Sequence, residues 1–156
     1  MDCKSRLEKY FRDNGIKFET MTHAAAYTAQ ELAAAQKVPG KQFAKVVMVV
    51  GDGQIMMLVL PASHHIDFRK LKGVLKVKDV RLAKEEEFSL IFPDCETGAM
   101  PPFGNWYGVP IHIDQALSEG QDIVFQAGTH KEMIRLSYRD YAILTQPAVS
   151  EFAMHS

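Results

Sequence analysis

Gly40-Lys41-Gln42-Phe43-Ala44-Lys45-Val46-Val47-Met48-Val49-Val50 is the segment from which we interpret the rest of the chain. Its last five residues are apolar and mostly β-branched, which is typical of a strand buried on both faces. Lys45 stands at the entrance to this strand. A buried ammonium loses its hydration, so a lysine is seldom buried without a reason. Lys45 is therefore either a strand-end residue whose amine reaches solvent or a residue of a functional site.

A second apolar run follows the first after a very short interval. Gly51-Asp52-Gly53 is typical of a tight turn between antiparallel strands. Residues 54–60 are again almost continuously apolar, and residues 61–63 end the run. We therefore predict a β-hairpin over residues 43–60 at the centre of a sheet.

Length and composition indicate an ordinary globular protein. The 156 residues predict one domain over residues 1–156, with 47% hydrophobic residues and a net charge of -1. This charge excludes a strongly basic nucleic-acid binder but leaves room for a small basic patch. Cys3 and Cys95 lack a CxxC partner, so we expect no thiolate metal site and no cofactor. We expect no membrane segment and a cytoplasmic location, because the sequence has no spanning apolar run and no signal-peptide core.

The rest of the chain mixes strands with helices near both ends. Helical spacing of apolar residues predicts helices over 5–14 and 138–144. The capping-box spacing of Thr28 and Glu31 predicts an alanine-rich helix over 29–37. Further predicted elements are strands over 16–22, 109–113, 122–127 and 131–136, and short helices over 67–71 and 84–90. Pro110 suggests an edge strand, and the tail from Gln146 is expected to be frayed. This mixture favours an α+β fold over a doubly wound one.

Residues 92–108 form the most unusual segment of the chain. They contain three glycines, three prolines and four aromatic residues, too apolar for a disordered linker and too interrupted for a helix or strand. A long, ordered, irregular loop in a compact domain is more often functional than not. Glycine lets a backbone N–H come close to a ligand, so such a loop can bind an anion or an oxyanion.

Residues 69–84 form the one basic stretch of the chain. Seven lysines and arginines stand there against the single acid Asp79. The commoner interpretation is a solvated face, and the alternative is a surface that contacts phosphates.

Several of these features occur together in one known family. The lysine strand Ala44-Lys45-Val46-Val47, the stretch Gly98-Ala99-Met100-Pro101-Pro102 and the turn Ala127-Gly128-Thr129-His130 resemble the YbaK/prolyl-tRNA-synthetase-associated editing-domain family. The upstream order of His23, Thr28-Ala29-Gln30-Glu31 and then the lysine strand is also similar. The order and spacing of these motifs over nearly the whole chain carry the resemblance, since no single motif is specific.

The resemblance implies an enzyme. Members of the family are aminoacyl-tRNA deacylases, which hydrolyse the ester between a wrong amino acid and the 3′ terminal adenosine of a tRNA. It implies a mixed, largely antiparallel sheet that curls into a partial barrel with flanking helices. It also implies mischarged tRNA as a partner, with an aminoacyl-tRNA synthetase as a further possible one. At this length the chain looks like a free-standing member.

The resemblance also implies which residues form the site. Lys45 matches the functional lysine of the family, and Gly98 to Pro102 match its GxxxP loop. His130 matches a histidine that some subgroups carry beside the second glycine turn, at Gly128. The expected catalytic residues are Lys45, Gly98, Ala99 and His130. The expected substrate-binding residues are His23, Met100, Pro101, Pro102 and Gly128.

The chemistry favours hydrolysis without a covalent intermediate. An aminoacyl ester is already activated, and the sequence shows no Ser-His-Asp arrangement. The backbone N–H groups of Gly98 and Ala99 would stabilise the oxyanion, and Lys45 would hold the terminal phosphate or the ester carbonyl. His130 would order the water or contact a substrate hydroxyl, and a terminal ribose hydroxyl could act as a relay. A nucleophilic Cys95 is the less favoured mechanism.

The finer function stays open at the level of sequence. The chain looks closest to free-standing members that act on small or hydroxylated amino acids such as serine, threonine or alanine. One alternative is a catalytically silent module of the same fold that binds tRNA or a synthetase. Another is a small-molecule ester hydrolase or nucleotide-binding protein that uses the same pocket.

Overall fold

A computed structural model describes residues 2–22 and 40–155 of the protein. The helices are α1 (Cys3–Asp13), α2 (Phe68–Leu75), α3 (Glu85–Phe88), α4 (Gln115–Ser118) and α5 (Tyr138–Thr145). The strands are β1 (Phe18–Thr22), β2 (Ala44–Gly51), β3 (Gln54–Pro61), β4 (His64–Ile66), β5 (Val80–Leu82), β6 (Ile111–Asp114), β7 (Asp122–Gln126), β8 (Glu132–Ser137), β9 (Ala148–Ser150) and β10 (Ala153–His155). The helix predicted over 29–37 lies outside the described residues.

The predicted hairpin is the centre of a five-stranded sheet. Strand β2 pairs antiparallel with β3 from Ala44 opposite Pro61 to Gly51 opposite Gln54. The strand order is β5-β2-β3-β6-β9, in which β6 runs parallel to both β3 and β9. The sheet is therefore mixed, and the predicted α+β class is confirmed.

Two smaller sheets complete the described strands. One has the order β1-β8-β7, and the other is the pair β10-β4. A single parallel bridge between Phe43 and Val124 joins the first of these to the central hairpin. The described strands thus form three sheets and not one closed barrel.

Phe103 lies at the middle of the main core and holds the irregular loop in place. Its side chain is fully buried. Its ring centroid lies 5.8 Å from that of Phe11 on α1, 5.6 Å from Phe125 on β7 and 5.5 Å from Tyr141 on α5. Tilted and edge-to-face aromatic pairs of this kind contribute about 0.5–1.5 kcal/mol each beyond burial. The loop over 92–108 is therefore anchored to three separate elements.

The C-terminal tail is ordered, so the prediction of a frayed end from Gln146 is wrong. Phe152 lies in the short connection from β9 to β10, and its side chain is fully buried. The buried carboxylate of Asp114 accepts hydrogen bonds from the N–H groups of Phe152 and Ala153, at 3.0 and 2.9 Å. These bonds fix the tail on the sheet through a residue far away in sequence.

The edge position predicted for the strand at 109–113 is also wrong. Strand β6 begins at Ile111, after Pro110, and lies between β3 and β9. Pro110 still contributes to the sheet, because its carbonyl accepts a hydrogen bond from the N–H of Met57 at 2.9 Å. The residue without an N–H therefore lies just before the first paired residue of the strand, Ile111.

Candidate active site

The glycine-proline loop, residues 98–102, is held in place by contacts between its buried side and the core. The carbonyl of Pro102 accepts a hydrogen bond of 2.7 Å from the hydroxyl of Tyr141. Burial raises the pKa of Tyr141, so this hydroxyl keeps its proton and remains a donor. Pro101 and Pro102 are themselves buried, and the Pro101 carbonyl accepts from the N–H of Phe103 at 2.7 Å. The two prolines thus support the loop from its buried side.

The structure brings the glycine loop and the second glycine turn together. The N–H of Gly128 donates to the carbonyl of Ala99 at 2.9 Å, and the N–H of Glu96 donates to the carbonyl of Gly128 at 2.7 Å. Nε2 of His130 lies 3.0 Å from the carbonyl oxygen of Thr97. The predicted residues Gly98, Ala99, Gly128 and His130 therefore belong to one unit, which we call the loop-turn unit (residues 96–102 and 128–130).

Gly98 has a conformation that explains the choice of glycine. Its φ is +86°, in the left-handed region that side chains disfavour. A Cβ on Gly98 would lie 3.4 Å from Cε1 of His130. The residue is exposed, whereas its neighbours Ala99 and Met100 are buried. Gly98 and the partly exposed His130 therefore lie next to each other on the accessible side of the unit, together with the exposed Glu96 and Thr97.

The two backbone donors predicted for an oxyanion differ in their availability. The N–H of Ala99 already donates to the carbonyl of Glu96 at 3.0 Å. The N–H of Gly98 points to the thioether sulfur of Met100 at 3.3 Å, which is a weak acceptor. The N–H of Gly98 can therefore exchange its weak acceptor for a stronger one, whereas the N–H of Ala99 is engaged in a hydrogen bond within the loop. Met100 is packed in the core, so its sulfur is a fixed but weak acceptor for the Gly98 N–H.

Lys45 is half-buried on β2, opposite Leu60 of β3. Burial lowers the pKa of its ammonium. Across residues 2–22 and 40–155, the Lys45 ammonium has no carboxylate within ion-pair distance. A half-buried cation without such a partner is poised to bind an anion or an electron-rich oxygen.

Lys45 and the loop-turn unit follow two chain segments that run parallel at one bridge. The bridge joins Phe43, just before β2, to Val124 of β7. Lys45 follows that bridge by two residues, and Gly128 follows it by four, so both lie in the same direction along the two chains. No hydrogen bond or ion pair within the described ranges joins Lys45 directly to the loop-turn unit. His23 lies outside the described residues.

The sequence interpretation overlooked two polar residues of this region. The carboxylate of Glu96 accepts from the N–H of His130 at 3.3 Å, and it lies 3.9 Å from Nε2 of the same residue. His64 begins β4 near Lys45, and burial lowers its pKa, with Asp114 opposing and the charges of His155 and Lys45 adding to this effect. Glu96 could have been singled out as the acid nearest Gly98 in the loop, whereas His64 gives no local signal.

The family of the chain follows from comparison with known sequences. A family model described as the aminoacyl-tRNA editing domain matches residues 23–144, which is more than half of the chain. The protein therefore belongs to the aminoacyl-tRNA editing domain family, and the resemblance to YbaK and the prolyl-tRNA-synthetase-associated domain is confirmed.

Particular relatives agree with this assignment. Over 112 residues the chain is 30% identical to a proline–tRNA ligase of Solidesulfovibrio magneticus, a match that covers 70% of the chain and 19% of the ligase. The chain thus spans about a fifth of the length of this curated relative.

Two solved structures share the fold over almost their whole length. One, described as a candidate trans-editing enzyme for prolyl tRNA synthetase, has a TM-score of 0.83 at 20% identity and covers 97% of both chains. The hypothetical protein APE2540 also has a TM-score of 0.83, at 18% identity, over 96% of this chain and 99% of its own. At these identities the two likenesses show the fold alone. No helix among the described residues is long and apolar enough to span a membrane.

Proposed function

We propose that this protein is a trans-editing hydrolase that deacylates mischarged aminoacyl-tRNA without a covalent intermediate. The substrates are small or hydroxylated amino acids, such as serine, threonine or alanine, esterified to the 3′ terminal adenosine. The protein acts as a single domain in the cytoplasm, where tRNAs are charged, and an aminoacyl-tRNA synthetase is a possible partner. Membership of the editing-domain family supports the reaction class.

The observation that carries the proposal is the half-buried ammonium of Lys45 without a carboxylate among its described neighbours. A lysine that only packs would direct its ammonium to solvent or pair it with an acid. Here the ammonium is available to the terminal phosphate or to the carbonyl side of the ester, as a point charge with three donors. The cost of its burial is offset when the anionic substrate binds.

The loop-turn unit supplies the remaining chemistry in this proposal. The developing oxyanion replaces the thioether of Met100 as the acceptor of the Gly98 N–H, because a charged oxygen is a much stronger acceptor than a thioether. Nε2 of His130 faces a carbonyl oxygen, so this nitrogen carries the ring proton. Nδ1 then has a lone pair with which it orders the attacking water. A terminal ribose hydroxyl serves as the relay for the proton.

A covalent route through Cys95 is not favoured by the geometry. Its sulfur lies 3.7 Å from a carboxylate oxygen of Asp94 and 3.9 Å from the hydroxyl of Tyr107. The carboxylate nearest the thiol is already engaged by Tyr107 and Arg6, so it is not free to act as the base that would activate Cys95 for attack on an ester.

The test is deacylation of tRNAs charged with alanine, serine, threonine, cysteine or proline, comparing the wild type, Lys45→Ala and Lys41→Ala. Lys41 is exposed and four residues away, so its variant controls for the loss of one positive charge. We expect rapid loss of one or two amino acids with the wild type and Lys41→Ala, and none with Lys45→Ala. Turnover of no substrate by any of them would favour the catalytically silent binding module instead.

A further inference from the structure

The two cysteines of the chain meet beneath the loop-turn unit. Cys3 is the first residue of α1 and is buried, whereas Cys95 lies in the irregular loop and is partly exposed. The two Sγ atoms and a carboxylate oxygen of Asp94 all lie within 4.8 Å of one another. Residues 92 positions apart in sequence thus place two thiols in one small cluster.

The neighbours of this cluster disfavour a metal ion. The carboxylate of Asp94 accepts a hydrogen bond of 2.7 Å from Tyr107 and lies 3.2 Å from the guanidinium of Arg6. That guanidinium stacks over the Trp106 ring, with its carbon 4.3 Å from the centroid. The acid is therefore already neutralised, and an incoming cation would meet the positive charge of Arg6. The cluster is better suited to chemistry between the two thiols.

The two thiols are not equivalent. The close approach of the two thiols lowers the pKa of the Cys95 thiol and raises the pKa of the Cys3 thiol, which burial raises further. Of the two thiols, the more exposed Cys95 therefore loses its proton more readily than the buried Cys3. In dithiol sites this asymmetry separates the sulfur that reacts first from the sulfur that completes the bond.

We propose that Cys3 and Cys95 form a redox site that peroxide converts to a disulfide. The Cys95 thiolate attacks one oxygen of hydrogen peroxide, becomes a sulfenic acid and releases hydroxide, which takes up a proton to form water. The Cys3 sulfur then attacks the Cys95 sulfur, losing its proton, and the sulfenic oxygen leaves as a second water. Two thiols are oxidised and one peroxide is reduced to two waters. The proposal requires the sulfurs to close from within 4.8 Å to about 2.05 Å by side-chain rotation and a shift of the loop that carries Cys95.

The position of the site couples it to the loop-turn unit. A Cβ on Gly128 would lie 2.5 Å from Cβ of Cys3 and 2.9 Å from its sulfur, so the second glycine turn rests directly on this cysteine. Cys95 is three residues before Gly98. Movement of either sulfur toward the other should therefore displace the loop that carries Gly98, the turn at Gly128, or both.

The experiment treats the reduced protein with hydrogen peroxide, blocks free thiols with N-ethylmaleimide and maps peptides under non-reducing conditions. We expect an intact mass lower by two hydrogen atoms, a peptide joining Cys3 to Cys95, and full reversal by dithiothreitol. Cys95→Ser should give no cross-link, and Cys3→Ala should leave a sulfenic acid on Cys95 that dimedone traps.

Three results would overturn the proposal. The first is a wild-type protein that accumulates sulfinic acid on Cys95 while Cys3 stays alkylatable. The second is a disulfide formed only between two chains. The third is tight, equimolar zinc binding by the reduced protein that Cys95→Ser abolishes, which would make the cluster a metal site.

Discussion

Nε2 of His130 lies 3.0 Å from the carbonyl oxygen of Thr97 and thereby joins the turn after β7 to the loop that carries Gly98. This contact gives the histidine two separable roles. It can hold the loop through Nε2, and it can order a water through Nδ1.

His130→Gln separates these roles, because the glutamine amide can still donate to the Thr97 carbonyl but supplies no basic nitrogen. We expect its deacylation rate to fall by about 10²-fold or more, with the melting temperature unchanged. Single-turnover deacylation and thermal unfolding measure the two quantities. Wild-type activity in His130→Gln would show that the histidine only anchors the loop.

Gly98→Ala tests the backbone donor. The variant places a Cβ at φ +86°, in van der Waals contact with Cε1 of His130 at 3.4 Å, so a backbone change that relieves the left-handed strain moves the N–H donor and alters this contact with the imidazole. Gly53→Ala is the matched control, since Gly53 has φ +83° and nothing within 4 Å of its added Cβ. Both variants should lose about 1–2 kcal/mol of unfolding free energy from left-handed strain. Only Gly98→Ala should lose activity, by about 10²-fold. Equal activities of the two variants would remove Gly98 from the mechanism.

Lys45→Met tests the electrostatic cost of the lysine. Burial lowers the pKa of Lys45 below its ordinary value of 10.5, so between the lowered pKa and 10.5 the folded protein binds fewer protons than the unfolded one. The stability of the wild type therefore rises with pH across that interval, and the cost is fully present below it. Removing the charge should stabilise the protein at neutral pH and abolish deacylation.

Urea unfolding of the wild type and Lys45→Met at several pH values measures this effect. The stability advantage of the methionine variant should be largest at neutral pH and shrink as the pH rises toward 10.5. A methionine variant that is less stable at every pH would indicate that the lysine serves packing alone.

The basic stretch over 69–84 is expected to contact tRNA. Lys72 and Lys76 are exposed and have no ion pair within the described residues, whereas Arg81 is paired with Glu87. The double change Lys72→Gln and Lys76→Gln should weaken tRNA binding and reduce the slope of log K against log salt by about 1–2. Hydrolysis of a minimal aminoacyl-adenosine should not change.

The control for this experiment is the double change Lys17→Gln and Lys41→Gln, because these lysines are also exposed, lie outside the basic stretch and have no ion pair within the described residues. The assignment of the basic stretch to tRNA binding would be contradicted by an equal loss of hydrolysis rate on charged tRNA and on the minimal aminoacyl-adenosine. Equal effects of the two double variants on tRNA binding would also contradict it.

Peroxide treatment should lower deacylation reversibly, because both sulfurs of the redox site contact or adjoin the loop-turn unit. The treated wild type should lose most of its activity and regain it with dithiothreitol. Cys95→Ala should be as active as the untreated wild type and insensitive to peroxide. Loss of deacylation activity in Cys95→Ala without peroxide would instead support the covalent mechanism through this thiol.

Local patterns were sufficient for the long elements of the fold. The continuous apolar run at residues 46–50 and the glycine turn at 51–53 predicted the β2–β3 hairpin. Both signals depend only on residues that are neighbours in sequence, so they can be detected without the fold. The three-residue strands β4, β5, β9 and β10 were missed, since so short a strand has no measurable period. The order of the tail depends on Asp114, whose hydrogen bonds to Phe152 and Ala153 have no local signal.

The candidate site was predictable only as a set of residue types. Glycine at 98 and 128 suited the positive φ angles that both residues adopt. The sequence could not show that the Ala99 N–H is used within the loop, nor that Cys3 lies under Gly128. These facts depend on distant segments that meet only in three dimensions.

The hydrogen bonds that shape the loop-turn unit join residues far apart in sequence: Thr97 with His130, and Pro102 with Tyr141. Contacts of such long range form late in folding, since the intervening chain must first be organised. During synthesis, a chain that ends before α5 would hold the lysine strand but no completed loop. The proposed hydrolysis should therefore begin in one step, when α5 docks, and a nascent chain should leave charged tRNA untouched until then.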